Sequence, residues 1–460
     1  MGQGSAIRKN VTQLRKALSQ RALQTLALIL LLGLGIRLYL APYSSGSDIP
    51  QFYGFGGTML RHPLDFYAHA SGHNWKTEGW PYPWPYVYGP VLAYLLAFLR
   101  LIVGEGAVRS FWDPKGYHVF VSRPWILAVK SLFILADLGI AVLLYKMLKK
   151  KSGWAAVVAS AFYFLNPMVI YVSSIYGMFD GLAVPPFLLG IHFIEEGRKN
   201  PGYALIGFSL AVKHTLLFPA LVVLCDPFPP QRGDPQDLRR IFACFLAGLL
   251  LPFAPFLLKP GSLLGLQDLL QGIKPGYTYP ITYNLNGLVA LLTFIHDKTG
   301  ANTLFYMKHW IYFALPALIA VFFVHSRLRN LRISIALAYA AFVLTYWRVN
   351  TQYTLPLIAF VALALPELDW PSRAVAFLTT IPPSLWPIAF PTSFWFHVHI
   401  ERPNWKMVKL IDGHTLMIFD VGPFIVLSIV FTILLLTWLV WMLSLVFERW
   451  RCPTWRLDRS

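Results

Sequence analysis

Two carboxylates and a small set of cations are the residues of this chain best suited to chemistry. Asp48 lies in Ser47-Asp48-Ile49, just beyond the first apolar run, and Asp180 lies in Gly177-Met178-Phe179-Asp180-Gly181 between two later runs. Carboxylates gathered at one surface can divide the work of general base and of substrate or metal binding. Their plainer role is to start helices, where Asp is favoured. Lys213-His214 falls at an expected helix break, and Arg348 is followed by Asn350 and Gln352-Tyr353. Both clusters could meet a phosphate through charge-assisted hydrogen bonds. For Lys213 the alternative is snorkelling to an interface.

Around Asp48 the chain is unusually aromatic. From Tyr43 to Tyr88, 12 of 46 residues are Phe, Trp or Tyr, against 16% overall. Such a loop suits stacking against a sugar or lipid headgroup, with Trp75, Trp80 and Trp84 as the platforms. His62, His69 and His73 lie in the same loop, and His397-Val398-His399 with Glu401 near the C-terminal end. Alternate histidines can hold a metal, but two ligands lack a third, so solvated loop histidines are expected. Lys130 and Asp137, seven residues apart on one helical face, are expected to be buried structural charges paired with neighbouring helices. No Gly-rich phosphate loop, nucleophile elbow, Walker sequence or zinc-protease motif is present, which argues against ATP-driven and hydrolytic chemistry.

The elements that must position these residues follow from composition. The chain is 56% hydrophobic and 13% charged, whereas soluble domains carry about 25% charged residues. Apolar runs of roughly 15 to 25 residues fit bilayer-spanning helices. The net charge of +18 does not imply nucleic acid, because basic residues cluster in short loops between apolar runs, as the positive-inside rule expects. The inferred inner segments hold 22 of the 39 Lys and Arg, with anionic inner-leaflet lipid as a further partner.

Applying that rule gives one all-α membrane domain of about twelve spans. Residues 1–20 and 448–460 are expected inside, and the first apolar run reads as a retained anchor. Residues 42–123 form a long external loop, and 259–307 and 392–414 are further external segments. Spans are expected near 21–41, 124–147, 154–174, 181–195, 241–258, 309–326, 333–347, 353–368, 373–391 and 415–447. Residues 202–225 read as two half-helices. Pro90 to Gly104 is short for a span and is expected to lie along the outer surface. The three scattered cysteines predict no disulfide framework.

The ordered motifs resemble the GT-C superfamily of polytopic glycosyltransferases, above all the GPI mannosyltransferase I type and related bacterial and archaeal mannosyltransferases. The pieces are "RLYL", "SDI" and "FYGFGGTMLRHPLDFY"; "YVYGPVLAYLL"; "KSLFILADLGIAVLLYKML"; and the stretch from "FYFLNPMVIYVSSIYGMFDGL" to "AVKHTLLFPALVVL". Later patches are "TYNLNGLVALL" and "YWRVNTQYTLPLI". The resemblance implies a GT-C fold, a polyprenyl-phosphate sugar donor and a lipid or glycan acceptor. It implies an active site on the outer or lumenal face and a hexose such as mannose. Asp48 would be the catalytic base. Asp180, Lys213, His214, Asn284, Arg348, Gln352, Tyr353, Trp84 and Tyr88 would bind substrate or phosphate. The family's D-x-D pattern is broken here, since Pro50 stands where the second acid belongs. Metal-independent catalysis with no cofactor is therefore the expectation. A transporter or flippase of a lipid-linked saccharide is the alternative. It predicts internal repeats and ionisable residues near the middle of broken helices, and the break near Lys213 is its best support.

Overall fold

A computed structural model describes residues 3–114, 116–226, 235–259, 261–262, 266, 284–303, 305–389, 405–406, 409–410, 413 and 421–451. His397, His399, Glu401 and most of the expected external segment 392–414 lie outside the described residues.

Helices make up nearly all of it. They are α1 (Gln3–Leu40), α2 (Asp48–Arg61), α3 (Phe66–His69), α4 (Pro90–Val103), α5 (Arg123–Leu148), α6 (Gly153–Phe164), α7 (Pro167–Ile170) and α8 (Val184–Glu195). They continue with α9 (Lys199–Val212), α10 (Leu217–Cys225), α11 (Pro235–Leu250), α12 (Gly287–Thr299), α13 (Phe305–Lys308), α14 (Trp310–Leu328) and α15 (Leu331–Thr345). The last four are α16 (Thr354–Ala364), α17 (Trp370–Leu378), α18 (Ile381–Ala389) and α19 (Val421–Arg451). Asn side chains start several of them: Asn166, Asn286 and Asn330 each accept a backbone N–H of the first turn, satisfying donors with no intrahelical partner.

Among the described residues, five helices are long and apolar enough to cross a membrane: Leu18–Tyr43, Arg123–Leu148, Gln236–Leu258, Trp310–Leu328 and Gly422–Glu448. The pair Gly153–Phe164 and Pro167–Tyr176, bent by 49° where Pro167 follows Asn166, makes a sixth if counted as one span. The protein is thus of the helical membrane type. The remaining expected spans correspond to shorter helices, among them α8 at 12 residues and α15 at 15. A bilayer core needs about 20 residues at 1.5 Å each.

One departure from the all-helical expectation falls in the expected external segment 42–123. Residues 108–121 form an antiparallel hairpin, β1 (Val108–Asp113) and β2 (Gly116–Val121), paired from Val108↔Val121 to Asp113↔Gly116. Alternation explains it, since Val119 and Val121 are buried while their neighbour Phe120 is only partly so. In the stretch 259–307, helix α12 packs on α19, its first N–H (Gly287) donating to Thr432 Oγ1 at 2.7 Å. The apolar run after Tyr88 forms helix α4, which starts at Pro90 and is closed by Gly104, whose φ is +86°.

Helix α5 is the post of the assembly, packed against α4, α6 and α8. Its two charges do not pair with each other. Asp137 faces Arg37 Nε of α1 at 3.4 Å and accepts from Tyr163 Oη at 2.9 Å, all three buried. Lys130 Nζ donates to Ala41 O (2.9 Å), Ser44 O (2.7 Å), Ser44 Oγ (3.0 Å) and Ile175 O (2.9 Å). One ammonium therefore ties the end of α1 and the turn before α2 to the π-helical turn Tyr171–Tyr176. Trp125 Nε1 adds a bond to Ile49 O at 2.8 Å.

Replacing Lys130 with Met keeps the bulk and takes its hydrogen bonds from the buried carbonyls of Ala41 and Ser44, while Ile175 O keeps Ser44 Oγ. An unmet buried acceptor costs about 1–3 kcal/mol, so Lys130→Met should lower thermal stability in detergent by at least that amount. Unchanged unfolding would contradict the role given to Lys130.

Candidate functional site

Three segments, joined by Tyr176, Met178, Lys213 and His214, converge on one cavity of about 480 Å³. The first is the start of α2, where Asp48 occupies the first turn. The second is the extended aromatic stretch before α4. The third is the connection from α15 to α16, residues 346–353. Asp48, Trp84, Tyr88, Lys213, His214, Arg348, Gln352 and Tyr353 all line it, so most of the residues singled out from sequence are brought together.

The aromatic stretch is held by backbone contacts. Gln51, one turn after Asp48, donates to Trp84 O at 3.0 Å and accepts from Tyr82 N at 3.2 Å. Tyr67 Oη donates to Tyr88 O at 2.9 Å, and Tyr86 Oη to Gly89 O at 2.6 Å. Gly89 has no room for a side chain, because a Cβ there would sit 1.7 Å from Ala211 O. That close approach sets Tyr88 against Lys213. Trp84 stacks on Tyr82 at 4.4 Å and stays 42% exposed, so it can present a ring face to a ligand. Trp80 cannot, for it is buried beneath α2 with Nε1 donating to Thr58 Oγ1 at 2.9 Å. Trp75 does not line the cavity either.

Lys213 marks the break between α9 and α10, in extended conformation (φ −150°, ψ 123°). The expectation of a free phosphate ligand is modified here. Its Nζ lies 3.1 Å from Asp180 Oδ1, both side chains buried, and the ammonium sits 4.1 Å over Phe179, 5.2 Å over Tyr88 and 5.3 Å over Tyr353. Asp180 opens the short turn Asp180–Ala183 behind this cage and does not line the cavity. Asp48 is accordingly the only carboxylate lining the cavity among the described residues, which leaves no lining partner for a carboxylate-bridged metal.

Asp48 is tuned by its surroundings. Burial pushes its carboxyl up to about 6, while Lys213, Arg348 and a hydrogen bond from Tyr176 pull it back and Asp180 adds to the rise. A carboxyl near 6 is ionised at neutral pH yet basic enough to take a proton. Arg348 carries no ion pair among the described residues, and its Nε donates to Asn350 Oδ1 at 3.4 Å. His214 Nε2 and Trp347 Nε1 are buried without hydrogen-bond partners among the described residues, and both residues line the cavity. Unsatisfied polar groups on a cavity wall are the expected places for a ligand.

Asn284, placed by resemblance in the binding set, stands behind the wall instead. Its Nδ2 donates to Trp347 O at 2.8 Å and its Oδ1 accepts from Val349 N at 2.9 Å. It braces the turn that carries Arg348. Sequence reasoning missed Gln51 and Tyr176. Gln51 lies three residues after Asp48, hence on the same helical face, and that spacing was the available signal. For Tyr176 there was none short of the π-helical turn.

No family model matches the chain, and no curated protein matches it in sequence comparison. The functional reading therefore rests on the site.

Breaking a buried ion pair from one side costs about 3–5 kcal/mol, because it leaves a bare charge. Lys213→Met should destabilise the protein by that order in detergent unfolding, and Asp180→Asn added to it should restore part of the loss. Additive losses in the double variant would show that the two groups are not coupled.

Proposed function

We propose that this protein is an inverting glycosyltransferase of the GT-C type, with about twelve spans. Residues 42–123 would lie on the outer or lumenal face, and both termini in the cytoplasm. It would move a hexose, mannose by resemblance, from a polyprenyl-phosphate donor to a lipid or glycan acceptor. The observation that carries this reading is the cavity itself: one carboxyl poised near 6, one guanidinium with no ion pair among the described residues and a part-exposed indole facing the same space.

The chemistry balances without a cofactor. Asp48 takes the proton of an acceptor hydroxyl, whose oxygen attacks the anomeric carbon from the side opposite the phosphate. The bond from that carbon to the phosphate oxygen breaks, its electron pair leaving with the polyprenyl phosphate, and configuration inverts. Base help of this kind is worth about 10²–10⁴-fold. Negative charge grows on the leaving phosphate, and Arg348 with the His214 Nε2 edge would offset it where water is scarce. Lys213, matched by Asp180, contributes less free charge than its position in the chain suggested. Trp84 would stack on the sugar. Helix α4 begins at the cavity and exposes Phe98, Leu101 and Ile102, a surface suited to a prenyl tail among membrane lipids.

The flippase alternative draws on the helix break at Lys213. It predicts movement of intact lipid-linked sugar without a new glycosidic bond, which the same assay separates.

The test is transfer of radiolabelled sugar from a panel of polyprenyl-phosphate sugars into lipid extract by pure protein across pH 4.5–8. One donor should be consumed. Because Asp48 titrates near 6 and acts only when ionised, kcat/KM should fall about tenfold per unit below that value and level off above it. No transfer from any donor by folded protein would overturn the assignment, and a rate flat through pH 6 would remove Asp48 as the base.

A further inference from the structure

At the far end of α2 from Asp48, two imidazoles and two carboxylates meet in a cluster that the transferase reading does not use. His62 follows the last residue of α2, Asp65 precedes α3, and His69 ends α3. The His62 and His69 rings stack at 3.5 Å with 6° between planes. The lone pair of an imidazole nitrogen lies in its ring plane, so one of the two rings must turn about its side-chain torsions for both to meet a single ion.

The spacing of donor atoms is that of ligands. His69 Nε2 lies 3.4 Å from Asp65 Oδ2, and His62 Nδ1 lies 4.0 Å from Asp65 Oδ1. One donor atom from each of His62, Asp65 and His69 falls within 4.8 Å of the others. Ligands about 2.0–2.2 Å from a tetrahedral zinc ion stand roughly 3.4 Å apart. Behind the rings the opposite nitrogens, His62 Nε2 and His69 Nδ1, face a single oxygen, Glu78 Oε1, at 3.5 and 3.4 Å. A carboxylate on the outer nitrogen of a ligating histidine fixes its tautomer and raises its basicity. Glu78 is itself anchored, accepting from Arg61 at 2.5 Å and Thr58 at 2.7 Å. Both histidine side chains are about one-third exposed (28% and 34%), so an ion can enter.

We propose that His62 Nδ1, His69 Nε2 and the Asp65 carboxylate bind a divalent zinc-like cation, with Glu78 orienting both imidazoles. The fourth position faces solvent. This is not a catalytic metal: the 14 residues of α2 place it about 20 Å along the helix from Asp48. Its effect is to staple the ends of α2 and α3 to the segment carrying Glu78, under the aromatic stretch. Lys259 competes for the same carboxylate, with Nζ 2.5 Å from Asp65 Oδ2. The proposal does not depend on the transferase reading.

The test uses full-length protein in detergent, stripped with chelator and titrated calorimetrically with zinc chloride. Wild type should show a site that His62→Ala/His69→Ala weakens at least about 100-fold. Lys259→Met should bind zinc at least as tightly as wild type, since the competing ammonium is gone. A merely polar surface cluster would not give that result. Substituted cobalt(II) should give visible d–d bands in wild type that the double variant loses. If the double variant aggregates, His69→Gln is read by the same cobalt spectrum. No zinc binding by wild type, isotherms or spectra unchanged by the histidine substitutions, or binding abolished in Lys259→Met would each overturn the site.

Discussion

The ammonium of Lys130, buried and donating to acceptors at Ala41, Ser44 and Ile175, is the interaction on which the rest of the site depends. A bare buried charge is expensive, and this one is tolerated because carbonyls left open at a helix end and at a π-helical turn converge on it. The turn it secures holds Ser44 Oγ on Ile175 O at 2.8 Å and Gly46 N on Tyr176 O at 3.1 Å. Asp48 follows within two residues, and Tyr176, from the other side of the same junction, hydrogen-bonds its carboxylate. Gly177 then reverses the chain at φ +82°, which returns Asp180 toward Lys213. The positions of Asp48 and Tyr176 and the Asp180 ion pair thus share one anchor on α5.

Charge around the cavity is divided so that each group has a distinct condition. Lys213 is matched by Asp180 and enclosed by Phe179, Tyr88 and Tyr353. Arg348 is left without an ion pair among the described residues, while the backbone around it is locked by Asn284. Asp48 is raised toward neutrality by burial but kept ionisable by the cations across the space. Such an arrangement favours an anion that arrives with the substrate over a permanent internal bridge.

Much of this was legible in the sequence, for physical reasons that differ by residue. Asp48 was visible because an acid just beyond a long apolar run is uncommon, and Lys213 because a charge interrupting an apolar segment forces a break. The aromatic density of the loop identified Trp84 and Tyr88 but did not separate them from Trp80, since composition cannot tell a ring that packs under a helix from one that faces a cavity. Ion-pair partners were hidden by distance along the chain: a neighbouring helix was the expected partner of Asp137, but nothing in the spacing pointed to Arg37, 100 residues away. Asn284 reads as a ligand in sequence and is a brace in space, because its donors and acceptors all go to backbone. Spacing alone left His62 and His69 as solvated loop residues; the chain reversal between α2 and α3 stacks them.

The measurement that bears most directly on the account is sugar transfer by folded Asp48→Asn protein, read beside its binding of unlabelled polyprenyl phosphate. The amide keeps the shape of the carboxylate and cannot accept the proton, so turnover should fall by about 10²–10⁴-fold with polyprenyl phosphate still bound. Turnover within a few-fold of wild type would contradict the account, and the base would have to be sought elsewhere.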